Sequence, residues 1–380
     1  MRLKKLNKKI TTQLEREIAM LKDKRGFLNA GLPRFDRLFG RDALISAWQF
    51  LDSDPSIAKA TLIALSRLQG KRVDSSRDEE PGKILHETYF GSKRKPPHAY
   101  FPMPYYGAVD TTPLYVIVFS MYVKKTGDTL LVKKYQDNLK KALVWILHKL
   151  SHDHFLYYQR QSKVGTFHQG WKDSFSDHLR IKPPVAIVEA QGYAHWALRA
   201  GAMLFESSIS RDFIVAADTL KKRFLKTFYM TNKKYFALAL DGSQQQRKAV
   251  TSNPGHLLLT HILDRRSADM IVQRLFQPDM WTPYGIRTHS MREPDFGAES
   301  YHLGSVWPHD NWMISEGLKK MGYNQEYNKV RRSIIAAYKR LGRLPEYYVV
   351  IGRKVREDDT ACYPQAWATG ALINFLSDKK

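Results

Sequence analysis

"TTPLYVIVFSMYVKKTGDTLLVKKYQDNLKKALVWILHKL", residues 111–150, decides the fold. Its apolar residues recur at three- and four-residue spacing over 111–126 and again over 128–150, the period of a helix with one buried face. A short link joins the two. The same spacing returns at about 41–51, 55–69, 186–206, 210–228, 254–263, 265–275, 303–321, 325–340 and 361–377, with a further candidate at 8–22. The helices pair off, and the first members begin near residues 41, 110, 186, 254, 304 and 361. Long, variable loops precede each first member, whereas short links lead to its partner. A circular array satisfies that rhythm. The expected fold is therefore all-α, an (α/α)6 barrel with an inner ring of first helices and an outer ring of second helices. Its long loops emerge together around the inner N-termini, where loops can carry a site. An open superhelix would require a more uniform repeat.

Strand-like stretches are short: "HFLYYQR" (154–160), "KYFALAL" (234–240) and "EYYVVIG" (346–352) read as hairpins within those loops. No GxGxxG or P-loop points to a nucleotide-binding sheet. The expected organisation is a single catalytic domain over 1–380, with a basic N-terminal helix in 1–25 packing on or closing the barrel.

Composition narrows the class. With 43% hydrophobic and 12% aromatic residues, the chain has ample material for a large core. Cys362 is the one cysteine, so neither an intramolecular disulfide nor a CxxC metal site can form. No secretion-signal-like or membrane-spanning apolar run is visible, which makes a cytoplasmic location the default. The net charge of +24 is distributed singly or in pairs along helices, without a finger or RNP-like strand, so no nucleic-acid partner is expected.

The loops are unusual. "FGRDALI" (39–45), "DEEPGKILHETYFG" (78–91), "YYGAVDTTPLY" (105–115), "HQGWKDS" (168–174), "VEAQGYAHW" (188–196), "GAESYHLGSVWPHDNW" (297–312) and "RLPEYY" (343–348) all fall at one end of the expected ring. Each carries an acid, and most pair it with an aromatic. Rings that stack on C–H faces and carboxylates that accept from hydroxyls suit a sugar.

In order, "DEEPGKILHE", "HQGWKDS", "VEAQGYAHWAL", "YHLGSVWPHDN" and "RLPEYY" resemble the bacterial amylo-α-1,6-glucosidase-like (glycogen-debranching-type) glycoside hydrolases. More distantly they are similar to neutral invertases, trehalases and glucosidase-I-like enzymes of the (α/α)6 superfamily. The resemblance runs from about Asp36 to Phe375. It implies an inverting hydrolase of an α-glucosidic bond, with Asp173 as general acid and Glu346 as general base; neither metal nor cofactor is expected. It implies sugar-binding roles for Arg41, Asp42, Glu87, Asp110, Lys172, Gln191, His302 and Trp307, and Trp171 is a further expected substrate-binding residue. Two departures argue against a polymeric glucan: there is no room for the N-terminal β-rich domain of many relatives, and "PEYY" is more invertase-like than "PELF". Sucrose, trehalose or a glycosylated glycerate are the alternative substrates, the last suited to a basic mouth. An inactive sugar- or polyanion-binding protein is the alternative outside enzymes.

Glycoside hydrolysis needs one protonated and one ionised carboxyl across the scissile bond. Burial beside Trp171 would keep Asp173 protonated, and Asp177 would add repulsion if a helical turn began at Asp173. Lys172 is expected to face a sugar hydroxyl. Pro345 would present Glu346 rigidly. The competing structural readings are an N-cap for Asp173 and Asp110, an exposed turn for Glu346, and a helix-capping ion pair for Arg41–Asp42. Glu189 could orient its loop, and Glu299 is the rival base. His302, His309 and Asp310 lack helical zinc spacing, so hydrogen bonding is expected of them.

Overall fold

The computed structural model describes residues 8–90, 102–205 and 209–378. In chain order its helices are α1 (Lys8–Leu21), α2 (Gly40–Phe50), α3 (Pro55–Arg67), α4 (Thr111–Thr126), α5 (Thr129–Leu150), α6 (Val188–Leu204), α7 (Ile209–Thr227), α8 (Arg265–Leu275), α9 (Pro308–Lys320), α10 (Asn324–Leu341) and α11 (Ala366–Ser377). A 3₁₀ turn spans Asn253–Leu259. Residues 1–7 of the expected N-terminal helix lie outside the described residues.

The links between paired helices are built from caps. Gly127 ends α4 in the left-handed region at φ 69°, and Asp128 then accepts from the Leu131 N–H to start α5. Asp54 and Pro55 start α3 in the same way, as does Asp264 for α8.

The inner ring closes completely. α2 packs on α4, α4 on α6, α6 on the 3₁₀ turn, the turn on α9, α9 on α11, and α11 back on α2. Outside it, α3, α5, α7, α8 and α10 each back their predecessor, and α1 backs α11. The sixth hairpin is thus made from the two ends of the chain. Outer helices are apolar on one side, whereas α4 and α11 are buried almost all round. At the end remote from the long loops, Trp48 packs edge-on against Trp196 and Trp312, with ring centroids 5.5 and 5.1 Å apart. The ring is plugged there.

Three expected helices are corrected. The segment at 254–263 is only a seven-residue 3₁₀ turn, wedged between α6 and α9. A Cβ on Gly317 would lie 2.5 Å from Leu258 Cβ, so the turn sits too close to α9 for a larger residue there. The segments at 303–321 and 361–377 begin later, at Pro308 and Ala366, because the preceding Trp307 and Gln365 are extended. Their upstream apolar residues line loops instead.

The strands are short antiparallel pairs in those loops. β1 (Leu38–Phe39) pairs with β2 (Glu87–Thr88), joining the loops that lead into α2 and α4. β3 (Ala186–Ile187), which opens the expected helix at 186–206, pairs with β6 (Ala239–Leu240), and β6 with β7 (Gln246–Arg247). β4 (Tyr229–Met230) pairs with β5 (Tyr235–Phe236), and β8 (Trp281–Thr282) with β9 (Gly285–Ile286). β10 (Tyr348–Ile351) and β11 (Lys354–Glu357) form a hairpin, pinned to the loop before α9 by the Val306–Tyr348 bridge. Of 154–160, Tyr158 alone makes a bridge, to Val185. No described helix is long and apolar enough to cross a membrane.

Candidate active site

Closing the ring brings six inner N-termini to one end, and each delivers polar groups there. α2 contributes Arg41 and Asp42, α4 follows Asp110, α6 carries Glu189, the 3₁₀ turn Asn253, α9 His309 and Asp310, and α11 follows Gln365. The long loops lay Asp173 and Glu346 over this tier.

Arg41 organises one side. Its Nε donates to Asp110 Oδ2 at 2.7 Å and its Nη1 to Asp173 Oδ2 at 3.0 Å, and the guanidinium is 2% exposed. Asp110 uses its carboxylate on Arg41 and does not cap α4, while Arg41–Asp42 is not the ion pair that forms. Asp173 starts no helix; its side chain is 29% exposed. Burial pushes the Asp173 carboxyl above the usual aspartate range, Asp110 adds to the rise, and Arg41 opposes it. Asp177, offered as a repelling neighbour, instead meets His168 Nε2 at 2.9 Å and accepts from the Ile181 N–H. His86 Nε2 lies 3.8 Å from Asp173 Oδ2, and burial holds its imidazole well below its ordinary range. Glu87 accepts from Arg37 Nε beside it.

Glu346 stands in a different environment. It is 1% exposed rather than lying on a surface turn. Oε1 accepts from the Tyr301 hydroxyl, and Oε2 from the Cys362 N–H at 3.0 Å and from Arg34 at 3.5 Å. Burial raises its carboxyl, but all three donors favour the ionised form. Asp42 is pushed up to about 8 by burial, against Arg41 and with help from Asp173 and Glu346. These three carboxyls therefore share one electrostatic neighbourhood.

An aromatic wall completes the opening. Trp307 stacks on Tyr347 (5.3 Å, 17°) and on His302 (5.5 Å, 24°), and Trp171 meets Trp307 edge-on at 5.6 Å. His309 stacks on Trp367 at 3.7 Å. Trp171 Nε1, His302 Nε2, Trp367 Nε1, Gln365 Oε1 and both His309 nitrogens are buried with no partner among the described residues. Such orphaned donors and acceptors suit a polyhydroxylated ligand. Asp310, His302 and His309 do not act together: Asp310 Oδ1 meets His256 Nε2 at 2.8 Å.

Two expected binding residues point elsewhere. Gln191 uses its whole amide on the backbone, accepting from Leu156 N–H and donating to the Leu156 and Ile187 carbonyls. It pins α6 to the 155–158 stretch. Lys172, 1% exposed, donates to the Thr288 carbonyl at 2.6 Å rather than facing the opening. Burial lowers its ammonium to about 8, with Asp310 and Glu189 pulling the other way. Glu189 accepts from Asn253 Nδ2 at 3.0 Å in this buried tier. Glu299, the rival base, is 62% exposed and pairs with Arg356. Sequence reasoning missed Tyr301, Arg34 and Trp367. Tyr301 lies inside the quoted 297–312 loop, where only its ring beside His302 could have signalled it.

Known proteins narrow the reading. Residues 158–349, just over half the chain and including Asp173 and Glu346, match the family described as the mannosylglycerate hydrolase MGH1-like glycoside hydrolase domain. Mannosylglycerate hydrolases MGH1 and MGH2 of Selaginella moellendorffii are each 43% identical over 65 residues. That stretch spans 17% of this chain and only 13% of each plant protein. The GH63 mannosylglycerate hydrolase from Thermus thermophilus, solved with Tris, superimposes with a TM-score of 0.73 at 15% identity, covering 97% of this chain and 99% of that one. A structure described as a wild-type glycosidase gives 0.67 at 14% identity, covering 98% and 96%. The fold is thus the (α/α)6 toroid, and the resemblance moves away from debranching-type enzymes. By the match over 158–349, the chain belongs to the MGH1-like glycoside hydrolase domain family.

Proposed function

We propose that the protein hydrolyses a small α-glycoside with an anionic aglycone of the glycerate type, by inversion, using Asp173 as general acid and Glu346 as general base. The observation that carries this is the contrast between the two carboxyls. Glu346 accepts from three donors that favour its ionised form against burial, while among the described residues Asp173 has one donor, Arg41, which Asp110 already neutralises. Protonating Asp173 leaves the buried Arg41–Asp110 pair neutral. Ionising it leaves the group with an extra negative charge.

In the reaction, Glu346 takes a proton from water as its oxygen bonds to the anomeric carbon. The glycosidic bond breaks, and Asp173 delivers its proton to the departing oxygen. Trp307, Trp171 and the unpartnered ring nitrogens would hold the sugar. Arg34, paired with Glu346, and Arg37, paired with Glu87, supply positive charge for an acidic aglycone. Family membership supports this substrate class over the branched glucan suggested by the debranching resemblance.

Proton NMR of the first sugar released from α-mannosylglycerate, α-glucosylglycerate, sucrose, trehalose and isomaltose tests both parts. The β-anomer from a glycosylglycerate is expected. First release of the α-anomer rejects inversion, and turnover of isomaltose alone rejects the anionic aglycone.

A further inference from the structure

Beyond the plugged end of the ring lies a second cavity of about 600 Å³ that the hydrolytic reading does not use. His195 and Arg199 reach it from α6, Lys221 from α7, and Lys320 from the end of α9, with Leu257 and Leu263 on its apolar side. α9 carries His309 at the catalytic end and Lys320 here, roughly 16 Å apart along the axis at 1.5 Å per residue. The two openings are separate.

Three cations converge on this cavity. Lys221 donates to the His261 carbonyl and Lys320 to the Leu259 carbonyl, each at 2.9 Å, and Arg199 pairs with Asp218. Lysines often cap helix C-terminal carbonyls in this way. Capping explains one N–H of each ammonium, leaving two, and it does not explain His195. That side chain is 2% exposed, and its Nδ1 lies 2.9 Å from the Thr260 carbonyl, which can only accept. Nδ1 therefore holds a proton. Burial pushes the imidazole down to about 4, with Lys221 and Arg199 contributing, so at neutral pH Nε2 is a bare acceptor. Among the described residues no donor reaches it. A buried acceptor on a cavity lined by three cations calls for a molecule carrying both negative charge and an O–H. The volume exceeds that of a bare ion and falls within the range of metabolite sites.

We propose that this far-end cavity binds a small organic oxyanion bearing a hydroxyl. Its charged group lies on Lys221, Lys320 and Arg199, its hydroxyl on His195 Nε2, and its carbon skeleton on Leu257 and Leu263. The shared chemistry fits a phosphate ester or a hydroxy acid.

Calorimetric titration of the full chain at fixed ionic strength tests it, with glycerol 3-phosphate and citrate as probes and sodium chloride as control. Saturable binding of at least one probe is expected: the phosphate ester alone identifies a phosphate site, citrate alone a carboxylate site. Arg199→Gln with Lys221→Gln should weaken binding at least tenfold. His195→Gln, which keeps a polar side chain in the pocket, provides a second variant and should also weaken it. Asp173→Asn should bind as the wild type does. Absence of saturation with both probes, undiminished affinity in the folded R199Q/K221Q protein, or loss of binding in D173N overturns the proposal.

Discussion

Replacing Asp110 by Asn would strip the Arg41 guanidinium of its buried counter-charge while changing almost nothing in shape. Arg41 joins Asp110 at 2.7 Å to Asp173 at 3.0 Å. Across a guanidinium, the two carboxyls stand roughly 6 Å apart, and at an effective dielectric of about 20 one unit charge at that distance is worth about 3 kcal/mol. Asp110 pushes the Asp173 carboxyl up, so its removal pulls that carboxyl down. Three kcal/mol corresponds to a roughly hundredfold weaker hold of Asp173 on its proton. The expected result is a kcat/KM lowered by up to about that factor on an alkyl glycoside, with the alkaline limb of the pH profile moved to lower pH. A dinitrophenyl glycoside, whose leaving group needs no proton, should lose only a few-fold. Equal losses on both substrates with an unmoved alkaline limb would refute the view that Asp110 acts by setting the protonation of Asp173.

Other perturbations separate the remaining roles. Asp173→Asn should reduce turnover of an alkyl glycoside by about 10²–10⁴-fold, with much of that recovered on the dinitrophenyl substrate. Tyr301→Phe removes a donor to the ionised Glu346 and should move the acidic limb of the kcat/KM profile upward; an unchanged limb would place the base elsewhere. Asp42 is pushed up to about 8, so between its unfolded value near 4 and about 8 folding requires it to take up a proton, and it costs stability increasingly as pH rises. Asp42→Asn should therefore raise the unfolding free energy from urea denaturation, by up to about 4 kcal/mol at pH 7 and much less at pH 5, while lowering activity. Lys172→Met leaves Asp310 and Glu189 without their buried counter-charge and should destabilise by about 3 kcal/mol in urea denaturation.

The ring was legible because its period is physical: every inner helix must bury most of its surface and every outer helix one face. The boundaries before α9 and α11 were not, since Val306 and Cys362 keep the apolar spacing while being buried in loops, with Leu303 partly buried beside them. Gln191 shows the limit at the site. Glu189 and Gln191 are two residues apart on α6, so their side chains diverge by about 200° around the helix. Only one can face the ring axis, and the sequence "VEAQGY" does not say which. The contacts do: Glu189 meets Asn253 of the inner 3₁₀ turn, and Gln191 meets Leu156 in a surrounding loop. Tyr301 and Arg34 lie in loops with no period, so nothing but their final contacts assigns them.

Gathering six helix N-termini at one opening sets a contest between two effects. Each N-terminus offers roughly half a positive charge, worth about 0.3–2 kcal/mol to an acid in the first turn. Asp42, Glu189 and Asp310 occupy such first turns. Desolvating a carboxylate costs several kcal/mol, so burial should win. It does: Asp42 is pushed up to about 8 and Glu189 to about 7 despite their dipoles. Asp42 and Glu189 are therefore poorly placed to serve as ionised bases at neutral pH. Asp173 and Glu346 both come from loops, where donors can be arranged around each carboxyl independently of the ring. Glu346 collects three and Asp173 one. The ring supplies a dry, polar floor, and the loops above it are where opposite protonation states can be set side by side.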